Sequence, residues 1–525
     1  MTDGSPRPAP LFSIITPVYN PDVAVLRDTI ESVRAQTFED WEWLLVDDAS
    51  PNAAVRSEIR RAALEDPRIR LVTRETNGHI VAASNDGLAA AAGEFVALLD
   101  HDDLLVETAL EQVATAISGH DDVDYVYTDE DKIDDEGRYY DAFLKPIWSP
   151  TRLLGQMYTC HLSVLRRSLV AEVGGFRHGF DGSQDHDLVL RVTERARRVV
   201  HVPEVLYHWR VVPGSTAGDA QAKPYAAVAG RKAVQEALDR RGLHGTVVDA
   251  PQAFGHYLVE GRLDPTTKVS VVIPTIGQSG IVWGTKQVFV EEAVRSVLAM
   301  TSHPELEIVV VYDAPTPPEV LRELRRIAGD KLVLVPFRDR FNFSEKCNVG
   351  VVRSTGSRIV LLNDDVRVIS ERWLENLVAP LDDPRVGMTG AKLYFADGTI
   401  QHAGHRYTEG EFTHPYTGSV MADAGRLGDL VISREVSGVT AACAALRRDV
   451  YDRIGGLSET LPVNFNDVDL SYKVRHAGLD IVWVANCELY HFESRTRPRQ
   501  IDPWEYHATT ARWGVPGKDD YLPVL

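Results

Sequence analysis

The chain has 525 residues, 44% of them hydrophobic and 25% charged, with a formal net charge of −20. It is too long for one hydrophobic core, since cores stop growing at about 250–300 residues, and its composition is that of a soluble globular protein. The acidic balance argues against a nucleic-acid-binding surface, which needs clustered Lys and Arg to neutralise phosphates, and against polybasic docking on anionic lipid.

Residues 1–10 are Pro-rich and polar and read as a disordered lead. Strand 12–18 follows, its apolar run breaking at Pro17 and Asn20. Asp22 then caps a helix over about 23–36, where Val25, Ile30 and Val33 recur near helical spacing. Strand 42–47 ends in Asp47-Asp48. After a helix, a strand and a helix, with a turn at Asn77-Gly78, the strand in GEFVALLD ends at Asp100. Short, continuously apolar strands alternating with helices predict an α/β fold with a mostly parallel sheet covered on both faces. In such a sheet ligands sit outside the carboxyl ends of strands, where Asp48, Asp100 and Asp102 fall. Beyond them, over YTDEDKIDDEGRYY, the chain reads as more irregular.

Residues 222–241 read as a helix stopped by Gly242, and a strand-rich bridge runs to about 266. From Val269 the opening then repeats: VSVVIPT, an amphipathic helix, EIVVVYDAP and SRIVLLNDDV. Asp48 falls opposite Asp313, an offset of 265, and Asp102 opposite Asp365, an offset of 263. That period marks a duplicated domain, because solenoid repeats run about 20–50 residues. The expected plan is a domain over 11–220, a linker over 221–267, a second domain over 268–497 and a tail over 498–525. The tail's Trp504, Tyr506 and Trp513 are mixed with charges and are expected to pack on the second domain.

Cys160, Cys347, Cys443 and Cys487 form no C-x-x-C pair, so neither a zinc knuckle nor a disulfide framework is indicated, and a reducing cytoplasm is the simplest home. MTDGSPRPAPLFS lacks a basic region followed by an apolar stretch, so no secretory signal is expected. No segment reaches the roughly 20 apolar residues that span a bilayer. Membrane contact would be peripheral, at the inner face of the plasma membrane, and Arg495, Arg497 and Arg499 are the one local basic group that could meet a phosphate or lipid.

Clustered carboxylates at the mouth of a parallel sheet attract a cation. Asp100, Asp102 and Asp103 offer hard oxygen ligands suited to a divalent ion that also bridges phosphates. Alone they would read as a solvated acidic turn, but Asn363-Asp364-Asp365 recurs at the equivalent place. No Walker loop and no G-x-G-x-x-G occur, so phosphates would be held chiefly through the metal. Each copy then has an acidic helix start, Gln184-Asp185-His186-Asp187 and Asn466-Asp467-Val468-Asp469. Asp187 and Asp469 fit a helix-stabilising role, while Asp185 and Asp467 are the better general-base candidates. His208 lies 23 residues after Asp185 and His491 lies 24 after Asp467, in register for a further metal or diphosphate ligand.

These residues together resemble the inverting family 2 glycosyltransferases of the GT-A fold, in two tandem copies. The first copy carries the family-like Pro17, Tyr19, Asn20; Asp47, Asp48, Ser50; Asn85, Gly87; Asp100, Asp102; Gly174, Gly175, Phe176; and Asp185. The second carries Phe341, Asn342, Phe343, Ser344, Asn348, Gly350, then LLNDD, Gly455, Gly456, Leu457 and DVDLSYKVRHAG. The resemblance implies two Rossmann-like GT-A domains and a nucleotide site formed by Pro17, Tyr19, Asp48 and Asp100 in one copy and by Pro274, Asp313 and Asn363 in the other. It implies Mg²⁺ or Mn²⁺ held by Asp102 with His208 and by Asp365 with His491, bases at Asp185 and Asp467, and a mobile acceptor loop at Arg210 and Ser215. The second copy departs at Asn363, where the family has Asp, and neither copy has the usual Glu before its base.

The expected activity is transfer of sugars from UDP-, dTDP- or GDP-sugars to a glycan or lipid-linked acceptor of a bacterial surface polysaccharide, with both sites active. Competing readings are a single-activity enzyme with one non-catalytic domain, a sugar nucleotidyltransferase, and a carbohydrate-binding scaffold. The nucleotidyltransferase reading is weakened by ITPVYNPD, which has no Lys or Arg where a phosphate loop would stand.

Overall fold

The computed structural model describes residues 9–211, 224–492, 503–515 and 517–522; Ser215, Arg495, Arg497 and Arg499 lie outside the described residues. The chain divides into two compact units, one of residues 1–148 and 156–237, the other of 149–155 and 238–523. Among the described residues no helix is long and apolar enough to cross a membrane.

In the first unit the strands Ile69–Thr73, Trp41–Asp47, Phe12–Val18 and Phe95–Leu98 lie side by side in that order, all parallel. Alternate residues of these strands are buried on both faces, as with Phe12, Ile14 and Ile15, which is why the strands read as unbroken apolar runs. The helix Val23–Arg34 starts where Asp22 accepts from the amides of Ala24 and Val25, and it buries Leu26, Ile30 and Val33. The first strand has the second on one side and Phe95–Leu98 on the other. The chain thus leaves it in both directions, leaving a crevice at the carboxyl ends.

The sheet continues antiparallel through Ser163–Arg166 to Val123–Ile133, which runs parallel to Arg198–Arg210. Val123–Ile133 and its partner Tyr139–Phe143 occupy the stretch whose sequence reads as irregular. Its carboxylates are strand residues: Asp124, Asp129 and Asp131 are buried against Arg or His partners, so side-chain charge hides a regular backbone.

The second unit repeats the plan in the order Leu332–Phe337, Leu306–Asp313, Val269–Thr275, Arg358–Leu362, then Cys443–Arg447, Val386–Tyr394, Asp480–His491 and Val366–Val368. It adds an exposed hairpin, Ser279–Val282 with Thr285–Val288, and a ribbon, Gly245–Asp249 with Tyr257–Gly261. Helix Pro503–Trp513 is held within this unit: Tyr506 donates to the Gly410 carbonyl at 2.6 Å, and Trp513 stacks on Tyr472 with ring centroids 5.4 Å apart.

The N-x-G and GG motifs meet in both units. Asn85 clasps the main chain of Phe176, accepting its amide and donating to its carbonyl, both at 2.9 Å, and Asn348 does the same to Leu457, both at 3.0 Å. Gly175 and Gly456, at φ +65° and +61°, turn the chain beneath these amides, where a Cβ would sit 2.7 Å from the Asn Oδ1. Gly87 and Gly350 let the same helices press on the first strands, since a Cβ there would lie 2.6 Å from Ile15 and 2.3 Å from Val272. These contacts fix the segments that lead into the helices Gln184–Thr193 and Asn466–His476.

Candidate functional site

A cavity of about 340 Å³ opens at the strand ends of the first unit. Pro17, Tyr19, Asp48, Asp100 and Asp102 line it together with Asn77, His101 and Trp209. Asp48 is buried and ion-paired with Arg74 at 2.8 Å, and one of its oxygens accepts from the Gly78 amide at 2.9 Å. Asp103 turns away from the cavity: it is buried, accepts from the Tyr207 hydroxyl, and takes the Arg210 amide at 2.7 Å. Arg210 is engaged in the same turn, its Nε donating to the Asp102 carbonyl at 2.8 Å and its guanidinium pairing with Asp28 at 3.2 Å.

Asp102 is raised by burial, with Asp100 adding to the shift while His101 and Arg210 oppose it. Asp185 lies in the first turn of the helix Gln184–Thr193 and accepts from Nε2 of the Gln184 side chain at 2.7 Å. Burial, then the charge of Asp100, push it up to about 6, with His161 pulling the other way. Asp187, by contrast, is gripped by Arg177 and by Arg191 at 2.6 Å, and these hydrogen bonds outweigh its burial and lower it. It acts as an anchor for the helix that carries Asp185.

His161 belongs to this group, and nothing in the sequence marks it. It stacks on Tyr207 with centroids 4.6 Å apart. Its burial would lower it, but the hydrogen bond and charge of Glu130, with the charges of Asp100 and Asp103, push it up to about 9. Lys145 completes the set, 3.5 Å from Glu130 and donating to the His161 carbonyl at 2.8 Å.

Strand pairing delivers the matched histidines. His208 pairs with Leu104, two residues past Asp102, and His491 pairs with Val366, one residue past Asp365. Asp131 lies 2.5 Å from Nδ1 of His208, and Tyr139 stacks on the ring at 4.0 Å. A carboxylate there accepts from Nδ1–H and fixes the orientation of the ring. In the second unit the Gln401 amide takes that role. Its nitrogen donates to the His491 carbonyl at 3.2 Å, so its oxygen faces Nδ1 at 2.7 Å. Nε2 of His491 then faces Asp365 Oδ1 at 3.2 Å and the Asn363 amide nitrogen at 3.2 Å.

Elsewhere in the second unit Asp313 pairs with buried Lys346 at 3.0 Å, and Lys346 donates to the Thr275 carbonyl at 2.8 Å, next to Pro274. Thr275 in turn donates to Asp364 at 2.6 Å, holding that carboxylate inward. Asp467 heads its helix and accepts from the Val468 amide at 2.9 Å. Asp469 is an anchor like Asp187, bound by Lys473, Arg512 and Trp513 at 3.1, 3.0 and 2.8 Å.

The donor sets fit a hard divalent ion. Asp100 and Asp102 line one open cavity as a like-charged pair. In the second unit His491 Nε2 and Asp365 Oδ1 face each other, and the buried Asn363 Oδ1 has no hydrogen-bond partner among the described residues.

The family model of glycosyl transferase family 2 matches residues 13–174 and 270–455. The protein y4gI of Sinorhizobium fredii is 42% identical over 94% of this chain and 54% of its own length. The O-antigen biosynthesis protein RfbC of Myxococcus xanthus is 34% identical over 98% of this chain and 40% of its own. The chain therefore spans about half the length of the curated relatives it matches. Among solved structures, the mannosyltransferase PcManGT from Pyrobaculum calidifontis, in complex with GDP-Man and Mn²⁺, is 21% identical with a TM-score of 0.35, over 45% of this chain and 67% of that one. The family match runs, in each unit, from the first strand to the glycine turn before the acidic helix, and on that evidence the chain belongs to glycosyl transferase family 2.

Proposed function

We propose that the chain carries two inverting transfer sites, one in each unit, that move sugars from nucleotide-sugar donors onto a growing surface polysaccharide. The observation that carries this reading is the recurrence of a histidine whose Nδ1 is engaged from behind, by Asp131 or Gln401, beside a strand-end carboxylate turn. A duplicated scaffold alone would not need to keep a side-chain oxygen against Nδ1 in both copies.

Pro17, Tyr19 and Asp48, and in the second unit Pro274 and Asp313, hold the nucleoside at the switch point, with Asp100 and Asn363 toward the ribose and diphosphate. Asp102 with His208, and Asp365 with His491, would hold Mg²⁺ or Mn²⁺, which supplies charge neutralisation for the departing nucleotide diphosphate. Asp185 or Asp467 accepts the proton of an acceptor sugar hydroxyl as that oxygen attacks the anomeric carbon from the face opposite the leaving group. One displacement of this kind inverts the anomeric centre. The polysaccharide class is supported by the relative named for O-antigen biosynthesis. A glycan on a lipid carrier at the cytoplasmic face of the membrane is the acceptor consistent with it.

Calorimetry of UDP-, GDP- and dTDP-sugars with and without Mn²⁺ tests this. One nucleotide class should bind two equivalents and tighten with Mn²⁺, and Asp102→Asn and Asp365→Asn should each weaken one equivalent. Binding that ignores both Mn²⁺ and these substitutions would overturn the reading.

A further inference from the structure

The segment after Tyr394 holds three histidines that the transfer reading does not use. Strands Arg406–Thr408 and Glu411–Thr413 pair with Arg406 opposite Thr413. The next position of that register puts His405 opposite His414. Gly404, at φ +87° and with Val436 where a Cβ would go, turns the chain so that His402 joins them.

The three rings converge. Their centroids are 5.0, 4.9 and 4.7 Å apart, at steep interplanar angles of 77°, 69° and 88°. One ring nitrogen from each lies within 4.8 Å of the others, and Nδ1 of His402 is 2.9 Å from Nδ1 of His414. Three imidazoles on one tetrahedral ion at Zn–N distances of about 2.0–2.1 Å have centroids about 5 Å apart, so the rings already stand at the separation such an ion requires.

The two buried rings are held from outside the cluster. The Tyr407 hydroxyl lies 3.3 Å from Nδ1 of His405, and Nε2 of His402 accepts from the Thr440 amide at 3.3 Å, a bond that ligation through Nδ1 gives up as the ring proton moves to Nε2. Burial, then the charge of His414, lowers both His402 and His405 well below the usual histidine range. Arg434, whose charge acts on His402, is itself offset by the charges of Asp429 and Asp519.

We propose that His402, His405 and His414 form a second metal site in the second unit, selective for a borderline divalent transition ion such as Zn²⁺. All-nitrogen donors favour Zn²⁺ over Mg²⁺ or Mn²⁺, which the carboxylate turns suit. Three protein ligands leave a fourth position for water or a substrate oxygen. The site adjoins both candidate catalytic groups of that unit: Gln401, next to His402, binds His491, and Tyr407 feels the charge of Asp467. Ion binding here does not depend on the transferase reading and can fail or hold separately from it.

The test uses the untagged chain, stripped with chelator and kept in excess Mg²⁺ to fill oxygen sites, then titrated with Co²⁺ and Zn²⁺. One equivalent of Co²⁺ should give visible d–d absorption that Zn²⁺ bleaches, and Zn²⁺ should raise the melting temperature. His414→Ala removes the exposed ring of the three; it should still unfold cooperatively without metal, yet lose the absorption and the Zn²⁺ shift. His405→Gln should lose them too, while His491→Gln keeps them. Absence of a Co²⁺ band in the parent, or a band that survives His414→Ala, overturns the proposal.

Discussion

Nε2 of His491 lies 3.2 Å from Asp365 Oδ1, with Nδ1 of the same ring 2.7 Å from the Gln401 oxygen. His208 has the Asp131 carboxyl group where His491 has the Gln401 amide. Both rings are engaged at Nδ1, but a carboxylate there makes the ring the more basic ligand.

Replacing Gln401 by Ala should therefore weaken Mn²⁺ activation of the second site by about 10–100-fold, leaving the first site unchanged. Gln401→Glu should tighten it. The measurement is the Mn²⁺ concentration for half-maximal formation of each linkage, and equal effects on both linkages would refute the assignment.

The pH dependence of the first site follows from Asp185. Its carboxyl titrates near 6, so first-site transfer should rise with pH through that region. A carboxyl raised on folding stabilises below its unfolded value, near 4, and loses that contribution as pH rises through about 6. Asp185→Asn should accordingly melt higher than the parent at pH 8 while losing first-site transfer. A lower melting temperature there would show that the buried charge is well compensated.

His161 acts on the same group with the opposite sign to Asp100. With Glu130 holding it up to about 9, it contributes stability that is complete below its unfolded value, near 6.5, and is lost as pH rises through about 9. His161→Gln should flatten the fall in melting temperature over that window. It should also move the acidic limb of the first-site pH–rate profile upward, because the cation that lowers Asp185 is gone. An unchanged limb would mean His161 only packs.

The Asn clasp gives a structural prediction. Asn348→Ala strands the Leu457 amide and carbonyl and the Tyr451 hydroxyl, which lies 2.7 Å from Asn348 Oδ1. The cost should be about 1–3 kcal/mol for each buried group left unsatisfied, read as a lower urea midpoint. Gly350→Ala, which drives a Cβ into Val272 and Val311, should cost about 1–3 kcal/mol from overpacking.

Much of this organisation was legible because it is written in local periodicity. The strand Phe12–Val18, the cap at Asp22 and the Asp at each strand end depend on neighbours in sequence, and the repeat doubled every signal. What escaped depends on contacts across the sheet. Asp131 reads as one carboxylate in an acidic run, and only the register of Val123–Ile133 against Arg198–Arg210 sets it behind His208. His161 is a lone histidine whose charge comes from Glu130, 31 residues away. Arg210, expected at an acceptor loop with Ser215, ends the strand Arg198–Arg210, and its amide and guanidinium bind the Asp102–Asp103 turn.

The most direct test of the central claim is analysis of the products made by Asp185→Asn and Asp467→Asn with a full set of nucleotide-sugar donors. If each unit is its own transferase, each substitution should remove one distinct linkage and spare the other. Retention of every linkage by both variants, or loss of all linkages with one and none with the other, would contradict two independent sites.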